Sequence, residues 1–307
     1  MTIGISERLL RRSRWLSRLT YSRARPDNQL MTTSLSDAAR QHYRDQGYYF
    51  PLRALSAAQA SENRAKLEAF EASQGGRIAG RMRQKLHLLL TWMDDLVRNE
   101  AILDAVEGVL GPDILCWQTS FFIKKAQDPG FVTWHQDSTY WGLSEPDVCT
   151  AWVALSPATL ESGAMRVMPG TQKWDQVTHT DSFDENNLLT RGQSVDAEID
   201  DSQAVDLVLS PGEFSLHHVR LVHASKPNKT DDRRIGLAIR YVAPHVSQAT
   251  GVPDSALLVR GEDRYGHFEA ERSPAADMHS DAVALHARIT EAREGFIYAG
   301  TEKRSAN

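Results

Sequence analysis

The residues best equipped for chemistry stand in the run Trp134-His135-Gln136-Asp137. On an extended strand, residues i and i+2 share a face, so His135 and Asp137 can present an imidazole and a carboxylate to one ion. His-x-Asp occurs three times, at 135/137, 179/181 and 279/281, and a single centre needs only one of them. Strand-like residues frame the first, Phe131 to Trp134 before it and Tyr140-Trp141 after. His179 and Asp181 run into a polar loop ending at Asn187, and His279 and Asp281 head a helical stretch where Ser280 or Asp281 reads as a cap.

A second histidine is sought in Ser215–Ser225, which holds His217, His218 and His223. Two imidazoles and one carboxylate on one face of an octahedral ion leave three positions open, the arrangement of non-heme iron(II) oxygenases. Strand parity puts His217 and His223 on one face and His218 on the other, and does not choose between the first two. The following strand favours His223. Arg234 shares a face with the small residues Gly236 and Ala238, whereas Ile235, Leu237, Ile239 and Tyr241 form the packed face. A guanidinium beside small residues is a socket for a carboxylate. A turn at Asn228-Lys229-Thr230, making a hairpin, would bring Arg234 back beside His223.

The elements that must position these groups follow from patterning. Helical periodicity runs from Ser34 to Gln46, from Ser56 to about Ser73, and as two helices between Leu86 and Leu110. Tyr48-Tyr49-Phe50 reads as a short strand. After residue 112 the texture becomes short β-branched and aromatic runs separated by Gly, Pro, Asp and Asn: Ile114–Lys124, Thr150–Leu155, Gly163–Met168, Ala204–Leu209, Glu213–Leu216 and Arg234–Val242. Helix returns over 275–293. A β sandwich or barrel with flanking helices is expected.

Composition narrows the function classes. The chain has 307 residues, 41% of them hydrophobic, and a net charge of −5. That excludes a disordered chain and, by charge, a nucleic-acid binder. No apolar run is long enough to span a membrane. Cys116 and Cys149 form no metal-type pair and fit a reducing, cytoplasmic setting. Residues 1–30 stand apart, with seven arginines against Glu7 and Asp27; without them the charge is −10. This segment reads as a targeting peptide, a basic surface helix, or an extension ahead of a start at Met31. A single domain over 31–307 is expected: a helical part at 34–112, a β core at 113–245 and a helical tail.

The motifs together resemble the phytanoyl-CoA dioxygenase family of iron(II)- and 2-oxoglutarate-dependent oxygenases. They are Asp45-Gln46-Gly47-Tyr48, Trp134-His135-Gln136-Asp137, Gly163–Gly170, His223-Ala224-Ser225-Lys226-Pro227-Asn228, and Arg234–Tyr241, in this order over some 200 residues. The resemblance implies a double-stranded β-helix, or jelly roll. It implies iron(II) on His135, Asp137 and His223, and O2 as oxidant. It also implies 2-oxoglutarate with its distal carboxylate on Arg234, helped by Ser225, with Trp152 as a nearby aromatic. One departure is Pro169-Gly170-Thr171-Gln172, where the family has Pro-Gly-Ser-His.

Gln118 is a further candidate for the cosubstrate, Lys124 and Lys125 read as solvated edge residues, and His217 and His218 as structural or pocket-lining. His87, Tyr140 and Arg166 are candidates to face substrate. Because Asp137 fills an iron position that a halide would need, hydroxylation of an unactivated C–H bond of a small metabolite is expected. The alternatives are an acyl-CoA hydroxylase, which would favour a basic groove for the CoA phosphates, and a non-catalytic jelly-roll binding protein.

Overall fold

The computed structural model describes residues 34–189 and 191–297; the basic segment 1–30 lies outside them. The elements run, in chain order, α1 (Asp37–Gln46), β1 (Tyr48–Arg53), α2 (Ala57–Ser73), α3 (Thr91–Val97), α4 (Glu100–Leu110), β2 (Ile114–Lys124), β3 (Val132–His135), β4 (Val148–Ala154), β5 (Met165–Val167), β6 (His179–Asp181), β7 (Gln193–Val195), β8 (Val205–Leu207), β9 (Glu213–His218), β10 (His223–Ser225), β11 (Arg234–Val242), β12 (Ser255–Arg260), β13 (Glu269–Ala270) and α5 (Ser280–Ile297).

Two sheets form the double-stranded β-helix. The larger has the order β1-β9-β4-β11-β2-β12-β13, and the smaller β3-β10-β5-β8. Every residue of β4 and β11 is buried, which requires cover on both faces. The outer face of the large sheet carries Phe121, Ile123, Val153, Ile235, Leu237, Ile239 and Tyr241, packed in one core with apolar residues of α2, α3 and α4. The inner face carries Arg234, Gly236, Ala238 and Arg240 toward the cavity between the sheets, as alternation dictates.

The helices begin where the sequence supplies caps. The Ser36 side chain accepts from Ala39 N, Ser56 and Gln59 form a capping box, and Asn99 accepts from Ile102 N. Gly47 ends α1 at φ +83°, a region that favours glycine. Its carbonyl accepts from His218 N at 2.8 Å, so the Asp45-Gln46-Gly47 motif docks on the strand carrying His217. The Thr171-Gln172 departure is explained nearby. The Thr171 hydroxyl donates to Met168 O and accepts from Val222 N, beside His223, while Gln172 Nε2 donates to Arg44 O.

One expectation of the fold is corrected. β10 and β11 lie in different sheets, so residues 226–233 cross the barrel instead of forming a hairpin. Buried Asn228 directs this crossing, its amide donating to Lys125 O and Asp232 O. A further strand, β12, follows the jelly-roll core and pairs with β2.

Gly236 shows how closely the inner face is fitted: a Cβ there would meet Trp152 Cζ2 at 1.8 Å. The neighbour is rigid ring and not a flexible chain end. Gly236→Ala is therefore expected to cost about 1–3 kcal/mol by overpacking, read as a lowered urea midpoint at unchanged m-value.

Candidate active site

The centre forms where the small sheet pairs His223 of β10 with His135 of β3. Their ring centroids are 4.1 Å apart. Asp137 follows the end of β3, its N–H donating to Val219 O at 3.1 Å, and its Oδ1 is 3.5 Å from His135 Nε2. His135, Asp137 and His223 each offer a ligand atom, and these atoms lie within 4.8 Å of one another. His135 Nδ1 bonds the Thr133 carbonyl and His223 Nδ1 the Leu221 carbonyl, both at 2.9 Å. Each Nδ1 is thus committed as donor, which leaves each Nε2 as the lone-pair ligand atom. Gln136, between the ligands, is fully buried and clamps the turn: it donates to Arg220 O and accepts from Val177 N.

Electrostatics prepare the same atoms. Burial would raise the Asp137 carboxyl, but the close His135 and His217 imidazoles and the nearby Arg240 charge hold it well below its ordinary value. Burial and the neighbouring His135 push His223 well below its usual value. An ionised carboxylate and a neutral imidazole are the forms a divalent metal binds.

At one end of the cavity Arg234 is 2% exposed, and its Nε and Nη2 have no hydrogen-bond partner. Its guanidinium sits 5.3 Å from the Trp152 ring. A buried guanidinium with idle donors suits a bidentate carboxylate. Ser225 lines the same cavity, and its hydroxyl accepts from Lys124 Nζ at 2.7 Å. Lys124 is not a solvated edge residue: it is fully buried opposite Arg234 in the β2–β11 register. Burial and the Arg234 charge push its pKa down to about 6. Alternation along β2 from the Arg234 register was the signal for it, and the Lys124-Lys125 pair disguised it.

The cavity is also lined by Phe122, Thr150, Trp152, His217 and Arg240. His217 Nε2 lies 3.9 Å from Asp137 Oδ2, and its Nδ1 has no hydrogen-bond partner. The cavity thus joins three possible metal ligands to an anion socket, which fits a divalent metal together with a dicarboxylate.

Comparison with known proteins agrees with this geometry. Residues 35–236 match the family described as phytanoyl-CoA dioxygenase (PhyH). A "probable alpha-ketoglutarate-dependent hypophosphite dioxygenase" of Stutzerimonas stutzeri is 30% identical over 186 residues, covering 60% of this chain and 61% of that protein. The chain thus spans less than two thirds of this curated relative. The structure of a non-heme monooxygenase, ThoJ, is 35% identical and superimposes with a TM-score of 0.77, covering 84% of this chain and 97% of the other. CytC3 with Fe(II) and alpha-ketoglutarate shares the fold at 22% identity, with a TM-score of 0.62, covering 81% of this chain and 97% of the other. Iron(II) and 2-oxoglutarate are thus the cofactor and cosubstrate of homologues.

Other residues singled out in the sequence lie elsewhere. Arg166 is on the opposite face of β5 from the cavity-lining Met165; it pairs with Asp201 and Asp206 and stacks over Trp134. Gln118 is an exception: it pairs with Arg240 in the β2–β11 register, at the end of the inner face away from Arg234, and donates to Gln84 Oε1. The Tyr140 side chain is outside the described residues. His179 accepts from Gln136 N at 2.9 Å, and His279 accepts from Asp281 N at the start of α5. Among the described residues, no membrane-spanning helix occurs.

His87 does not face the cavity. It is fully buried, bonding Thr119 Oγ1 at 3.1 Å and Glu271 Oε2 at 3.0 Å, and Glu271 also pairs with buried Lys85. Burial would raise the Glu271 carboxyl, but Lys85 and His87 outweigh it and hold it at about 2, below the ordinary 4.5. Its stabilisation is therefore complete above the ordinary value and is lost as pH falls toward about 2. Glu271→Gln is expected to cost about 3–5 kcal/mol at neutral pH by stranding Lys85. The variant should also show a shallower loss of unfolding free energy across the acid window, measured by urea titration at successive pH values.

Proposed function

This chain belongs to the phytanoyl-CoA dioxygenase family of iron(II)- and 2-oxoglutarate-dependent oxygenases, and from that premise we propose that it hydroxylates an unactivated C–H bond of a small metabolite. Succinate and CO2 are the coproducts. The observation that carries this reading is the His135–Asp137–His223 cluster in one cavity with the unpartnered Arg234 donors. When bound, iron(II) with 2-oxoglutarate and O2 supplies the oxidation of the C–H bond.

The chain's own residues do the rest. His135, Asp137 and His223 would hold the metal through their Nε2 and carboxylate atoms. Arg234, with Ser225 and Lys124 beside it, receives the distal carboxylate of 2-oxoglutarate. Trp152 walls this end and Gly236 leaves room for it. The charged side chains between the two sheets are buried, which strengthens each charged contact. Asp137 favours hydroxylation over halogenation, since its carboxylate occupies the position a halide would take. The intact cluster and Arg234 argue against a binding module without catalysis. The acidic body and the named hypophosphite-oxidising relative support a small substrate over a CoA thioester.

The test is stimulated turnover of 2-oxoglutarate to succinate across a metabolite pool, with the product identified by mass. His135→Ala, Asp137→Ala and His223→Ala should each abolish turnover and one-to-one iron(II) binding, whereas His217→Ala should retain iron. An essential His217 and a dispensable His223 would reverse the ligand assignment. Arg234→Ala should weaken 2-oxoglutarate by about thirtyfold to several thousandfold, the loss of a buried charge-assisted pair, with iron affinity little changed in calorimetry. Wild-type enzyme should give no chlorinated product in high chloride; such a product would remove Asp137 from the metal.

A further inference from the structure

We propose that the substrate is a neutral, hydroxyl-rich molecule, a polyol or a sugar, and that Gln118, Thr150 and His217 receive its hydroxyl groups at the end of the cavity away from Arg234. This deepens the hydroxylase reading and rests on it. The register of the large sheet brings the three residues together. Thr150 of β4 pairs with His217 of β9 on one side and with Arg240 of β11 on the other, and Arg240 pairs with Gln118 of β2. Partners in an antiparallel ladder point to the same face. The four side chains therefore form one polar row across the inner face, and Thr150 and His217 line the cavity.

Three atoms of this row are buried without a hydrogen-bond partner among the described residues: Gln118 Oε1, Thr150 Oγ1 and His217 Nδ1. Their residues are 5%, 1% and 2% exposed. Leaving a buried polar group unpaired is costly, and three such atoms from three strands in one register row mark a surface made for a polar ligand.

The kind of ligand follows from what these atoms can do. Gln118 commits its Nε2 as donor to Gln84 Oε1 at 3.0 Å, so its Oε1 is left to accept. His217 Nε2 faces Asp137 Oδ2 at 3.9 Å, and the carboxylate favours the proton on that nitrogen. Nδ1 then carries the lone pair and also accepts. Thr150 Oγ1 can accept or donate. The row thus calls for a ligand with several donors. An anion would set lone pairs against lone pairs at Gln118 and His217. An ammonium would lie against the Arg240 guanidinium, which is fixed in the same row by stacking 5.0 Å from the Trp141 ring. Hydroxyl groups supply donors without charge, and each can accept from Thr150 in return.

The test uses the full chain, loaded anaerobically with iron(II) and 2-oxoglutarate, and reads the visible charge-transfer band of that complex. The probes are glycerol and 1,3-propanediol, with dimethoxymethane as the donor-free isomer of the diol and propionate as the anion. Glycerol and the diol should each shift the band saturably in the wild type, the diol about tenfold or more tighter than dimethoxymethane. Propionate should bind more weakly than the diol. Thr150→Val and His217→Phe should each reduce the preference for diol over ether by about threefold to tenfold, the loss of one hydrogen bond, while the band still forms. Thr150→Ser, which keeps the hydroxyl, should retain the preference, and thermal melting of all three variants checks folding. Equal binding of diol and ether, no saturable shift with either hydroxyl compound, tighter binding of propionate, or an undiminished preference in both Thr150→Val and His217→Phe would each overturn the hydroxyl seat. Failure of the wild type to form the band at all would instead overturn the oxygenase reading.

Discussion

The pairing of β10 against β3 is the constraint on which the rest of the molecule depends. It sets His223 opposite His135 and brings the chain out of β3 directly into Asp137. The ladder N–H and C=O groups that hold the pairing cannot be satisfied otherwise in a buried sheet. Neighbouring side chains reinforce it. Thr171 receives Val222 N just before His223, and Gln136 ties the turn after His135 to Val177 and Arg220. A slip of one residue in either strand would turn an imidazole out of the cavity.

The two sheets divide the work. The small sheet and the turn after it present the ligand cluster. The large sheet presents charge and shape: Arg234 at one end, Gly236 and Ala238 under Trp152, and Arg240 at the other end. That division follows from the period of two along β11, whose other face is wholly apolar and packs on the helices. A strand buried on both faces can carry two guanidiniums only because the cavity takes one side.

Burial also tunes the chemistry in advance. Desolvation keeps His223 neutral and Lys124 low, while the close imidazoles and the Arg240 charge keep Asp137 ionised. The groups meant for a metal are thereby held in the forms it binds. On the far side of the sheet the same physics serves stability: Lys85, His87 and Glu271 satisfy one another without solvent.

Local order in the chain determined much of this protein. The alternation in Ile114–Lys124 and Arg234–Val242 sets the bounds of two central strands, caps and glycines set the helices, and the i, i+2 spacing of His135 and Asp137 sets their common face. Those are short-range properties, written in neighbouring residues. Tertiary structure alone decided what parity left open. His223 joins the cluster and His217 stands behind it because β10 and β9 lie in different sheets, which residue spacing does not encode. Likewise Lys124, Arg240 and Thr150 face the cavity, and His87 and Arg166 face away, because of cross-strand register and the crossing at 226–233. A side chain's surroundings depend on strands distant in the chain, and only the folded sheets bring those strands together.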